Sequence, residues 1–205
     1  MITESKKLNV LVACEFSGIV REAFRKRGHN AWSCDILPAD DGSPYHYQCD
    51  IIDVFNMDLT WDLMIAHPPC TYFANSGVSW LHKYPERWND LDDAADFFNI
   101  FLKSPITKIC IENPIPHKYA IERIGGRKYD QLVQPYMFGH KETKATCFWL
   151  KGLEPLKPTT DLKKETMKLP LKERCRVYWM GEPNRAKKRS VTYKGIAEAM
   201  AEQWG

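Results

Sequence analysis

The sequence predicts an α/β protein whose core is a Rossmann-like, doubly wound and mostly parallel sheet. Three observations carry this expectation. Short apolar runs of strand length recur at residues 8–13, 62–66 and 108–111. Segments with apolar residues at helical spacing follow the first two. Each run gives way abruptly to a polar or proline-bearing cluster, as strands do where a parallel sheet releases the chain. With 205 residues, 44% hydrophobic and 27% charged, the chain can bury a core of its own.

Residues 8–13, rich in aliphatic and β-branched side chains, read as a buried parallel strand. Ser17-Gly18 turns the chain, and residues 19–27 carry Ile19, Ala23 and Phe24 on one helical face. Gly28-His29-Asn30 stops that helix, and residues 31–34 form a second strand closed by Asp35. This strand–turn–helix–strand unit has the size of a βαβ crossover. A weak strand at 47–49 ends in Asp50. The strand at 62–66 ends at His67-Pro68-Pro69, because prolines cannot donate to a ladder. Residues 87–102 form a helix with Leu91, Ala94, Ala95 and Phe98 inward, and 108–111 is a buried strand terminated by Glu112-Asn113-Pro114. Residues 131–138 and 146–150 read as an antiparallel pair around a Gly139-His140 turn, and 155–168 as loop. The last helix, 193–203, places Ile196, Ala197, Met200 and Ala201 on one face.

Seven scattered cysteines without a CxxC pair argue against a disulfide framework and a zinc knuckle, and no metal site is expected. Cys14, Cys34, Cys110 and Cys147 lie in strand-like apolar stretches and read as small buried hydrophobes. No apolar run is long enough to span a bilayer, and the polar N-terminus lacks the core of a signal peptide, so a cytoplasmic location is expected. Residues 157–194 hold 12 Lys or Arg against 4 Asp or Glu, whereas the rest of the chain has 17 against 22. A basic tract on a mildly acidic body is either a polyanion-binding surface or a solvated lysine-rich face.

Three polar clusters follow strands directly, where a doubly wound sheet builds its site. They are Phe16-Ser17-Gly18 with Asp35 further on, His67-Pro68-Pro69-Cys70, and Glu112-Asn113-Pro114. A cysteine after two prolines sits on a stiff loop that can hold a thiol in attacking geometry. A glutamate at a strand end can hydrogen-bond a substrate ring and share a proton with it. His67 reads as packing or capping the diproline loop.

The order and spacing of these motifs resemble the DNA cytosine-5 methyltransferases. The matching stretches are Glu15-Phe16-Ser17-Gly18-Ile19, His67-Pro68-Pro69-Cys70, Ile111-Glu112-Asn113-Pro114, and residues 138–148 and 190–201. The match covers most of the first 150 residues and returns at the end. The resemblance implies a catalytic domain at 1–150, a short basic insert at 151–189 in place of a target-recognition domain, and a helix at 190–205 completing the catalytic domain. It implies that Cys70 adds to carbon 6 of a flipped cytosine, that Glu112 holds N3 and the exocyclic amine, and that a methyl passes from S-adenosylmethionine to carbon 5. Lys144 stands where the family has the first arginine of its Gln-x-Arg-x-Arg strand, with Glu142 and Thr146 at the other two positions. Phe16, Ser17, Gly18, Asp35, Asp50 and Pro68 are then the cofactor-binding candidates. Asn113, Lys141, Arg185, Lys187, Lys188 and Arg189 are the candidates for contact with DNA.

The chain departs from the family twice. Val20 and Arg21 occupy the places of two further loop glycines, which restricts how closely backbone can approach a ligand. The insert is also short, which predicts short or relaxed sequence preference, help from a partner or a second copy, or a single-stranded substrate; an oligomeric partner is not visible in the sequence. Three rivals stay open. One uses methylenetetrahydrofolate as carbon donor on DNA or a free nucleotide, as thymidylate synthases and deoxycytidylate hydroxymethylases do. Another is a DNA-binding relative without turnover, and the third is an adenine or small-molecule methyltransferase.

Overall fold

Seven strands in the order β3-β2-β1-β4-β5-β7-β6 form one sheet in the computed structural model, which describes residues 6–181 and 185–205. In chain order the elements begin β1 (Asn9–Ala13), α1 (Ile19–Lys26), β2 (Asn30–Asp35), β3 (His46–Gln48), α2 (Ile51–Phe55) and β4 (Leu63–Ala66). Next come α3 (Val78–Lys83), α4 (Arg87–Lys103), β5 (Lys108–Pro114), α5 (Lys118–Arg123), β6 (Gln131–Val133) and β7 (Thr146–Lys151). Four short helices follow, α6 (Lys163–Lys168), α7 (Leu171–Arg174), α8 (Arg176–Trp179) and α9 (Arg185–Ser190), before α10 (Lys194–Trp204). Strands β1 to β5 run parallel, while β7 is antiparallel to both β5 and β6. The α/β, doubly wound, mostly parallel architecture expected from the sequence is the one observed.

The pleat sorts β1 onto both faces, since successive side chains point to opposite sides. Val10 and Val12 pack with Val20 and Phe24 of α1 and with Ile196, Met200 and Trp204 of α10. Leu11 and Ala13 face the other layer, where Ile51, Leu91, Phe98 and Ala120 come from α2, α4 and α5. With both faces covered, the central strands are apolar throughout: every residue of β4 is fully buried. Phe98 lies between the stacked ring of Phe73 and the edge of Trp149. Through Phe73, α4 thus supports the segment that follows Cys70.

Several boundaries differ from the sequence expectation. Strand β5 does not stop at Ile111 but runs through Glu112, Asn113 and Pro114, because β7 keeps pairing there, with Glu112 opposite Phe148. The strand expected at 131–138 shrinks to β6, and Pro135 opens a 3-10 turn at Pro135–Met137. The antiparallel β6–β7 pair is present, but residues 134–145 join it rather than a tight turn at Gly139-His140. Part of 155–168, expected as loop, is helix α6. Gly195 lets α10 approach residue 138, since a Cβ there would collide with the Phe138 carbonyl.

Candidate active site

The strand order reverses between β1 and β4, and in open parallel sheets ligands bind beyond the C-terminal ends at such a point. Here the chain leaves β1 through Cys14, whose φ of 57° lies in the left-handed region. Glu15 follows, nearly fully buried, and folds forward over the start of α1. Its carboxylate accepts hydrogen bonds from the backbone N–H of Val20 at 2.6 Å and of Arg21 at 3.2 Å. The Ser17 hydroxyl lies 3.4 Å from the same carboxylate. Gly18, with φ of 71°, is the N-cap of α1 and supplies no side-chain cap, so Glu15 serves these first-turn donors instead. Burial pushes the Glu15 carboxyl above its ordinary range, against the pull of His67 and of the two amides.

The places taken from glycine by Val20 and Arg21 are structural. Val20 enters the core, and Arg21 is fully buried, its guanidinium donating to the Ser33 hydroxyl at 2.9 Å and pairing with Glu22 and Asp41. A Cβ on Gly18 would collide with that guanidinium, so glycine is required there for space as well as for φ.

Strand β4 releases the chain into His67-Pro68-Pro69-Cys70, and this loop is clamped to the end of β5. His67 Nδ1 lies 2.8 Å from Glu112 Oε2. Asn113 Nδ2 donates to the Pro68 carbonyl at 3.0 Å. Beyond the cysteine, the His117 ring bonds the Tyr72 carbonyl at 2.7 Å and Ala74 bridges Pro116. The Phe73 and Ala74 amides turn back onto the Cys70 carbonyl. The consequence is an exposed Cys70 on a loop held at both ends.

The electrostatics centre on Glu112. Burial alone would raise its carboxyl, but the hydrogen bond from His67 and the charge of Lys144 outweigh it and hold the carboxyl below the usual range. Although Cys70 is exposed, desolvation by its surroundings raises its thiol most, and Glu112 raises it further. Lys144 and Arg189 act in the opposite direction. Cys70, Glu112, Lys144 and Arg189 therefore share one locale, although they come from four separate segments. Lys144 sits in the loop before β7, not on a strand as the family resemblance implied, and its ammonium donates to the Arg189 carbonyl at 2.8 Å. A narrow cleft beside them is lined by Glu112, Lys144, Thr146, Tyr193, Ile196 and Met200.

On the β2 side, Asp35 ends its strand and accepts from the Leu37 amide at 2.9 Å, while burial raises its carboxyl. Asp50 caps α2 through the Ile52 amide at 2.9 Å. Both carboxylates act on Cys14, so they converge near the exit of β1. Phe16 is buried, and Lys187 from α9 places its ammonium 5.0 Å from the Phe16 ring centroid while pairing with Asp40.

The sequence-derived residues thus fall into two neighbouring groups, one around Cys70 and one around Phe16 and Asp35. Lys141 and Lys188 are solvent-exposed, and the Arg185 side chain lies outside the described residues. Pro68 and Asn113 are buried and belong to the loop clamp. Glu15, Arg21 and the His67–Glu112 pair were not anticipated. An Arg in an otherwise amphipathic helix and a Glu four residues before one were the only signals available. Among the described residues, no group of three or more His, Cys, Asp or Glu is placed to hold a metal ion, and no helix is long and apolar enough to cross a membrane.

No protein-family model matches the sequence, and no curated protein matches it. Solved structures do share the fold. One is a protein assigned as a DNA modification methyltransferase encoded within an E. coli prophage, 17% identical, with a TM-score of 0.50 over 80% of this chain and 56% of that one. Another is the Entamoeba histolytica methyltransferase EhMeth, 15% identical, with a TM-score of 0.49 over 77% of this chain and 58% of that one. The likeness to the first of these is one of fold, a mostly parallel α/β sheet with helices on both faces. The chain spans a little over half the length of these two structures, 56% and 58%.

Proposed function

We propose that the protein is a DNA cytosine-5 methyltransferase. The observation that carries this reading is Cys70: an exposed thiol on a clamped diproline loop, within the electrostatic reach of a buried, ionised Glu112 and of Lys144 and Arg189. As the Cys70 sulfur adds to carbon 6 of the pyrimidine, the electron pair displaced from the ring reaches N3, which takes up the proton the thiol gives up; the Glu112 carboxylate accepts from that new N3–H and from the exocyclic amine. The resting site disfavours the thiolate, chiefly because its surroundings desolvate it and further because Glu112 lies close by. When a base engages Glu112, its negative charge is shared with the ring, its repulsion of Cys70 falls, and Lys144 and Arg189 then favour the thiolate. Attack is thereby coupled to correct seating of the base, which a duplex would have to release by flipping. After methylation the carbon-5 proton passes to water, its electron pair forms the carbon 5–carbon 6 double bond, and the carbon 6–sulfur bond breaks to free Cys70 as a thiolate.

The residues at the exits of β1 and β2 fit S-adenosylmethionine. Phe16, Ser17, Gly18 and Pro68 would line its methionine end, Asp35 would accept from the ribose hydroxyls, and Asp50 would face the adenine amino group. The bound cofactor supplies a methyl group from its sulfonium. The Val20 and Arg21 amides, being taken by Glu15, leave the grip to these other residues. Residues 151–189, with Lys187, Lys188 and Arg189, would hold phosphates.

The test is incubation with labelled S-adenosylmethionine and mixed-sequence DNA, single- and double-stranded, alongside Cys70→Ser. Label on cytosine carbon 5 that disappears in the variant is the expected result, together with a covalent adduct on DNA containing 5-fluorocytosine. Label on adenine, or transfer from methylenetetrahydrofolate instead, would overturn the reading.

A further inference from the structure

One side chain in the site has no part in the mechanism above, the imidazole of His67. It leaves β4 with its backbone N–H donating to the Ala13 carbonyl at 2.9 Å, which fixes it between the ends of β1 and β5. Its ring and the Glu112 carboxylate are each about nine-tenths buried, at 9% and 11% exposure, and lie 2.8 Å apart. A ring nitrogen facing an ionised carboxylate must donate, so Nδ1 carries hydrogen. Nε2 is buried as well and has no hydrogen-bond partner among the described residues. A packing or capping histidine would bond its own loop, whereas this one reaches across the sheet to a side chain 45 residues away.

We propose that His67 is a positioning residue for Glu112, occupying Oε2 so that Oε1 is left to meet the target base. A long carboxylate side chain has several rotamers, and a fixed donor on one oxygen selects among them, as an outer partner does for a catalytic or ligating group. The same bond keeps the carboxylate charged in a buried place. The charged and titratable groups that face Glu112 are His67 from the β4 exit, Lys144 from the loop before β7, Cys70, Cys147 of β7, and Cys110 of its own strand. Those that face His67 are Glu112, Glu15 and Asp35. With His67 gone, Lys144 alone opposes desolvation. The identity of the base rests on the cytosine reading, while the pairing stands without it.

The test compares His67→Asn, His67→Phe and Glu112→Gln with the parent. Asparagine places its Nδ2 near the imidazole Nδ1 and keeps a donor without a charge; phenylalanine keeps the volume and loses the donor. Protein labelled with carboxyl-13C glutamate is titrated by NMR, the Glu112 signal being the one absent in Glu112→Gln. Adduct formation on 5-fluorocytosine DNA with S-adenosylmethionine is followed against pH. The expected result is a Glu112 midpoint moved upward by about one pH unit or more in His67→Phe, about a tenfold change in its ionisation constant. His67→Asn should move it less. The maximal rate should fall by about 10- to 100-fold in His67→Phe and be largely restored in His67→Asn. A Glu112 midpoint unmoved in His67→Phe, or in the equally donor-less His67→Leu should His67→Phe fail to fold, overturns the proposal. If the midpoint moves but the parent forms no adduct, His67 still orders Glu112 and the cytosine reading fails instead.

Discussion

Removing the Glu15 carboxylate should destabilise the whole domain, because the start of α1 depends on it. Its two oxygens accept from the Val20 and Arg21 amides at 2.6 and 3.2 Å. Both residues are fully buried, so water cannot take over. Each amide left without a partner costs about 1–3 kcal/mol. Against this, Glu15→Ala relieves the desolvation that raises the carboxyl. The net loss expected for Glu15→Ala is about 2–4 kcal/mol, and for Glu15→Gln, which keeps one acceptor, about 1–2 kcal/mol. Urea titration gives the number directly, provided the slope m is unchanged. A loss below about 0.5 kcal/mol in Glu15→Ala would show that the amides are served otherwise and refute the argument. The pH dependence has a definite sign. The folded carboxyl holds its proton to higher pH than the unfolded one, near 4.3 for an ordinary Glu, so folding takes up a proton between the two values. This contribution is full below the unfolded value and is lost as pH rises through the folded one. Glu15→Gln should flatten stability against pH in that window.

Two further outcomes follow from the site. Peptide-level mass spectrometry of iodoacetamide alkylation should find Cys70 modified faster in Glu112→Gln, where a neighbouring negative charge is gone, and slower in Lys144→Met. In each case the rate against pH shifts as a whole, downward in pH for the first and upward for the second. Lys187 is half-exposed in its pair with Asp40, so Lys187→Ala should change stability by less than about 1 kcal/mol. If Lys187 grips a phosphate, the same substitution should weaken DNA binding regardless of sequence and reduce the salt slope by about 1.

The parts of the fold legible in the sequence are those whose signal is local. Strands β1 and β4 announce themselves as apolar runs buried on both faces, and α4 by Leu91, Ala95 and Phe98 at helical spacing. Helices α2, α3 and α5 run only five or six residues, too short for a period of 3.6 to repeat. The extension of β5 through Glu112 depends on β7, which pairs Glu112 with Phe148, 36 residues further along the chain. Cys70 and Glu112 could be picked out because strand ends in such a sheet converge. His67 could not, since proline on its C-terminal side makes a local capping role the economical reading, and its actual partner is 45 residues distant. Arg21 was invisible for the same reason: an arginine is expected at the surface. Ser33 and Asp41, which make its burial tolerable, lie 12 and 20 residues away.

The loop after β1 shows how a departure from pattern can be compensated. Extra glycines would leave backbone open to a ligand, but also leave a helix start without a cap. Here Val20 contributes to the core, Arg21 fills the space beside Gly18, and Glu15 satisfies the amides that the turn exposes. Each interaction is internal, so the loop is ordered before any ligand arrives. The order has a cost: amides at the helix start, a common anion site, are already engaged. Under the proposed function, a ligand above β1 would then be held by what the loop still presents, the Phe16 ring and the acidic ends near Asp35 and Asp50. An acidic rim of this kind suits hydroxyl and amino donors better than phosphate, and the proposed S-adenosylmethionine would offer such donors from its ribose, adenine and methionine ends.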